Sequence, residues 1–104
     1  MMLPRNAPAA EVQQQRALAP GEFYFVYNPD APDVRAGIVH ACPCGCGQLG
    51  ALFFRGHGRG RSEWDVTGQW PMVTLSPSIG IKPKDAEGRY HWHGYLRAGM
   101  FEEC

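Results

Sequence analysis

The sequence predicts a small, mostly β fold: an antiparallel sheet or barrel-like domain with a metal-binding knuckle and a short N-terminal arm. Three observations carry this reading. Thirteen glycines and nine prolines in 104 residues, set among abundant Phe, Tyr, Trp and Val, describe short strands joined by tight turns. Helical periodicity is nearly absent beyond the first twenty residues, where apolar positions alternate instead. Three cysteines separated by single residues, Cys42-Pro43-Cys44-Gly45-Cys46-Gly47, make a turn that its glycines allow to curl. A chain of this length makes one domain, with a core modest enough for a metal staple to help.

Residues 1–21 read as the arm. Ala9 to Leu18 can form a short helix with a thin apolar face, ended by Pro20-Gly21. Such a helix is marginal in water by itself, so the arm is expected to dock on a partner or mediate oligomerisation rather than join the core. Residues 22–104 read as a zinc-stabilised β domain. From Glu22, Phe23, Phe25 and Tyr27 point one way, and Tyr24 and Val26 the other. Asn28 to Asp33 is a cluster of turn formers. Val34 to Ala41 is a second strand leading into the cysteines, and Leu49 to Phe54 a third leaving them. The knuckle therefore sits at the tip of a hairpin.

Arg55 to Arg61 alternates Arg, Gly and His and reads as a solvated hairpin tip, with a basic loop for phosphate or an acidic partner as the other reading. Glu63 to Val66 is a short strand with Trp64 in the core. Trp70 to Leu75 runs into Ser76-Pro77-Ser78-Ile79-Gly80, where Pro77 interrupts any ladder and implies a kink or bulge. After a turn over Lys82 to Gly88, Tyr90 to Leu96 is the last long strand. It carries His91, His93 and Tyr95 on one face and Trp92 and Leu96 on the other. Ala98-Gly99 then turns the chain into a final strand, Met100 to Glu102.

Ten basic and ten acidic residues cancel, which argues against a nucleic-acid or membrane surface. No apolar stretch is long enough to cross a bilayer. Met1-Met2-Leu3-Pro4-Arg5 lacks the apolar run of a signal peptide, and the expected setting is the cytoplasm.

Cys42, Cys44 and Cys46 put three thiolates within reach of one ion, and either imidazole of His91-Trp92-His93 completes a four-ligand shell. Zinc takes Cys and His in tetrahedral sites. A disulfide framework fits less well, because bridged Cα atoms lie roughly 4.4–6.8 Å apart with converging Cβ vectors. The only distant partner is Cys104. Three thiolates neutralise and donate strongly to zinc, which weakens its power to acidify water. The expected role is therefore structural.

Ser76 and Ser78 flank Pro77, and a serine becomes a nucleophile when a base takes its proton. Histidine titrates near neutrality, and His93 shares a face with His91, so it lies close to any metal that His91 binds. Amides around Ser78 to Gly80 are available to a developing oxyanion.

His40-Ala41-Cys42-Pro43-Cys44-Gly45-Cys46-Gly47, Thr74-Leu75-Ser76-Pro77-Ser78-Ile79 and His91-Trp92-His93-Gly94-Tyr95-Leu96-Arg97-Ala98-Gly99, in that order, resemble a bacterial and phage family of zinc-binding domains. That family includes the serine peptidase of bacterial ubiquitination-like operons. The resemblance spans Glu22 to Glu102. It implies a structural Zn2+ and a serine protease with a Ser–His dyad, Ser78 as nucleophile and His93 as general base. Ser76 and His40 are the reserves.

The resemblance also implies a protein or peptide substrate, such as the tail of a ubiquitin-like protein, in a bacterial host cell or encoded by a phage. Many family members carry a cysteine three residues before the histidine matched by His93. Tyr90 stands there in this chain. His91 is the simplest fourth ligand, with His93, His40 and Cys104 as the others. The competing reading is a non-enzymatic zinc-binding interaction or virion-associated module that contacts its partner through the arm and the Arg55–Arg61 loop.

Overall fold

The computed structural model describes residues 5–13, 17–84 and 86–104, with backbone alone at 83 and 84. Among the described residues ten strands run in chain order: β1 Ala7–Pro8, β2 Ala10–Glu11, β3 Glu22–Asn28, β4 Ala31–Ala41, β5 Leu49–Phe54, β6 Glu63–Thr67, β7 Thr74–Ser76, β8 Ile79–Lys84, β9 Tyr90–Arg97 and β10 Met100–Glu103. They form a four-stranded sheet of order β1-β10-β9-β8 and a six-stranded sheet of order β2-β3-β4-β5-β6-β7. All pairs are antiparallel except β2–β3 and β5–β6, which are parallel.

One core joins the two sheets. Phe23, Ile38, Leu52 and Leu75 come from the six-stranded sheet; Ile79, Ile81, Trp92, Leu96 and Phe101 come from the other. Trp92, Phe23 and Phe101 are its largest fully buried side chains, each worth about 1.5–3 kcal/mol in transfer from water. The expected alternation on β9 holds, with Trp92 and Leu96 at 0% exposure. On β3 it fails at Tyr27, which is half exposed. The register with β4 slips on both sides of that residue, and a bulge turns a side chain off the face its parity assigns.

Two expectations are corrected. The helix over Ala9 to Leu18 is absent among the described residues, residues 14–16 lying outside them. Ala10–Glu11 instead pairs with β3, and main-chain bonds from Ala9 to Gly99 O (2.8 Å) and Val12 to Phe23 O (2.8 Å) hold the segment extended. A ten-residue helix with a thin apolar face cannot match this tertiary pairing.

Nor is the arm a separate tail. Ala7, Ala9 and Val12 are buried, and β1 pairs with β10, so the arm threads from one sheet to the other. Smaller differences lie at turns: β4 starts at Ala31 rather than Val34, and β8 runs on through Lys84.

Pro77 marks a change of sheet. β7 ends at Ser76 in one sheet and β8 begins at Ile79 in the other, which is the kink its missing N–H foreshadowed. At the Arg55–Arg61 loop most charges are matched: Arg55 meets Asp65 at 2.9 Å, Arg59 meets Asp30 at 3.0 Å, and Arg61 lies over the Phe53 ring. His57 is half-buried beside Asn28, not free at the tip. No helix among the described residues is long and apolar enough to cross a membrane.

Candidate active site and metal centre

The knuckle closes the β4–β5 hairpin. Cys42 N–H donates to Gln48 O at 2.8 Å and Gly45 N–H to Cys42 O at 3.1 Å. Gly45 and Gly47 both have φ of +86°, the left-handed region where a Cβ is strained. That curl brings the three sulfurs together. Cys44 Sγ lies 3.3 Å from Cys42 Sγ and 3.2 Å from His91 Nε2, and His91 Nε2 lies 3.1 Å from Cys46 Sγ.

The four ligand atoms all fall within 4.8 Å of one another. A tetrahedron with metal–sulfur bonds of ~2.3 Å has edges of ~3.8 Å, so the donor set fits one ion. Among the described residues the group contains His91 and neither His40, His93 nor Cys104.

The thiols are unequal. Burial pushes Cys42 up to about 12. Burial also raises Cys44, but hydrogen bonds from Cys42, Cys46 and His91 outweigh it and bring Cys44 down to about 7. Arg5 stands behind the cluster. Its guanidinium donates to His91 O at 2.9 Å and pairs with Glu103, and the Trp92 indole donates to Arg5 O at 2.8 Å. The arm thus grips the backbone of β9 where that strand meets the knuckle.

Two residues along the same face of β9, His93 meets serine. Its Nε2 lies 3.0 Å from Ser78 Oγ. The strand register explains the meeting: Gly80 on β8 is paired with His93 and Ile79 with Gly94, so Ser78 is the diagonal neighbour of His93 on one face, within reach of a long side chain. Gly80 on β8 leaves room for the Tyr90 ring. A Cβ there would lie 2.8 Å from carbons of the Tyr90 ring, which in turn stacks on His93 at 5.8 Å. Ser78 itself is half-buried, and its carbonyl accepts from the Trp64 indole at 3.3 Å.

The reserves do not reach this place. Ser76 is exposed and pairs with Asp65 in the six-stranded sheet. His40 has 0% exposure, stacks on Phe101 and is pushed down to about 4 by burial. Its alternation with Cys42 turned it into the core rather than toward the metal.

Cys104, considered as a metal ligand, lies at the other nitrogen of His93, with Sγ 3.3 Å from Nδ1. Sequence reasoning also missed the Arg5–Glu103 pair. The tight Ala98-Gly99 turn held the signal for Cys104, because it fixes the β9–β10 register that Cys104 continues.

A family model for the bacterial ubiquitination-like system serine protease (BubE) matches residues 10–104, nearly the whole chain. The chain belongs to the BubE family. No curated protein and no solved structure matches it. The BubE match extends beyond the motif-bearing segments to take in β2, the strand through which the arm joins the six-stranded sheet.

Proposed function

We propose that this BubE-family chain is a zinc-stabilised serine peptidase in which Ser78 is the nucleophile and His93 the general base. The observation that carries the reading is the 3.0 Å approach of His93 Nε2 to Ser78 Oγ, within the reach a general base needs. Ser78 Oγ attacks the scissile carbonyl while His93 Nε2 takes its proton. The same nitrogen then returns the proton to the departing amine, and a water repeats the sequence on the acyl-enzyme. Amides following Ser78 supply the oxyanion donors.

Cys42, Cys44, Cys46 and His91 hold the zinc. With three thiolates it supplies cross-linking rather than an activated water. The support is the donor set and the position of His91, two residues from His93 on one strand. The interaction-module reading loses its main support, since the arm is built into both sheets.

The substrate we infer is the C-terminal tail of a ubiquitin-like protein of a bacterial ubiquitination-like system, cut within the cytoplasm. The test mixes such a protein, bearing residues beyond its mature tail, with wild-type, Ser78→Ala and Ser76→Ala chains. Wild type and Ser76→Ala should release the extension and Ser78→Ala should not. Equal cleavage by Ser78→Ala would remove the assignment.

A further inference from the structure

Three side chains line up across three neighbouring strands. Ser78 precedes β8, His93 lies on β9 and Cys104 follows β10. The β9–β10 register runs from Arg97↔Met100 to Gly94↔Glu103, and one further step sets Cys104 across from His93. Its N–H donates to His93 O at 3.1 Å. Directly opposed residues share a face, so the sulfur arrives 3.3 Å from His93 Nδ1, while Nε2 on the far side of the ring meets Ser78.

We propose that Cys104 is a positioning residue for His93: its sulfur accepts the Nδ1 proton and so turns the Nε2 lone pair toward Ser78. The proposal rests on the Ser78–His93 reading. A neutral imidazole carries one ring proton. With that proton on Nε2 the ring can only donate to the serine, and no general base is present. An acceptor at Nδ1 selects the useful tautomer and holds the ring plane.

Sulfur is a weak acceptor, but the task is a bias between two tautomers, not the holding of a charge. The thiol is satisfied at both ends. Its own S–H donates to His93 O at 3.4 Å while the sulfur accepts from Nδ1. That double contact, from the residue paired with His93 across the ladder, distinguishes Cys104 from a cysteine that merely lies nearby.

The test needs no peptide substrate. A fluorophosphonate reports the same proton transfer: Ser78 Oγ bonds to phosphorus, fluoride leaves, and the serine proton passes to His93 Nε2. Saturation kinetics of labelling are measured at one pH on the metal-loaded full chain, for wild type, Cys104→Ala and Cys104→Ser. Cys104→Ala should lower kinact about tenfold, a fraction of what general-base catalysis supplies, with KI unchanged. Cys104→Ser should recover most of the rate, because a hydroxyl makes the same pair of bonds. Nitrogen-15 NMR of the His93 ring should show proton-bearing Nδ1 in wild type and mixed tautomers in Cys104→Ala.

Labelling of Cys104→Ala at the wild-type rate, or equally slow labelling of the alanine and serine variants, would overturn the proposal. If wild type itself is not labelled at Ser78, the peptidase reading fails. The ring spectra then still decide whether Cys104 sets the tautomer.

Discussion

His91 and His93 stand two residues apart on one face of β9 yet reach different centres: His91 Nε2 lies 3.1 Å from Cys46 Sγ, and His93 Nε2 lies 3.0 Å from Ser78 Oγ. A strand repeats its side-chain direction every two residues, about 6.6 Å along the chain. On the proposed reading, one strand carries a metal ligand and a general base side by side. Whatever fixes His91 also fixes the backbone on which His93 is mounted.

Metal removal should accordingly act on stability first. Binding free energy at a structural site is folding free energy. A loss of about 3 kcal/mol would lower the melting temperature of a domain this size by roughly 12–24 °C. Differential scanning calorimetry with and without a chelator checks this, and Cys44→Ser should resemble the chelated protein. A chelated sample that melts with the loaded one would show that the cysteine cluster holds nothing structural.

Gly80→Ala tests whether the Tyr90 ring helps to place His93. The added Cβ would meet the Tyr90 ring at 2.8 Å, and Tyr90 is partly exposed, so the ring can swing away at small cost to the fold. The ring that moves is the one stacked on His93. Phosphonate labelling should slow about tenfold, since small misplacements of reacting groups are costly, while the melting temperature changes by only a few degrees. Unchanged labelling would separate Tyr90 from the placement of His93.

The Arg5–Glu103 pair predicts a pH dependence of stability. The hydrogen bond from Arg5 is the main cause holding the Glu103 carboxyl below its ordinary value of 4.5. A carboxyl whose value is lower in the folded than in the unfolded chain contributes fully above the unfolded value. That contribution is lost as pH falls through the folded value. Urea unfolding of wild type and Glu103→Gln should differ at pH 7 and converge as the solution is acidified below about 4.5. A gap that stays constant through that range would rule out the ion pair as its source.

Much of this arrangement was legible in the chain because it depends on local rules. Period-two alternation placed His91 and His93 on one face and Trp92 on the other. Single-residue spacing with glycines announced the knuckle, and Pro77 announced a break in the ladder. What escaped reading depends on partners far away in sequence. The arm looked like a helix because Gly99 O and Phe23 O, which hold it extended, cannot be seen from residues 9–18. His40 has the parity of Cys42, yet the stacked Phe101 ring belongs to a strand some sixty residues on. Cys104 read as an alternative metal ligand until the register of the last hairpin set it against His93.

The account depends on Ser78 reacting because His93 takes its proton. Mass-spectrometric mapping of the fluorophosphonate adduct on the full, metal-loaded chain addresses this directly, with His93→Gln measured beside wild type. The adduct should appear on Ser78 in wild type and fall by at least about a hundredfold in rate in His93→Gln, the scale of general-base assistance. An adduct on another residue, or equal labelling of Ser78 in both proteins, would contradict the account.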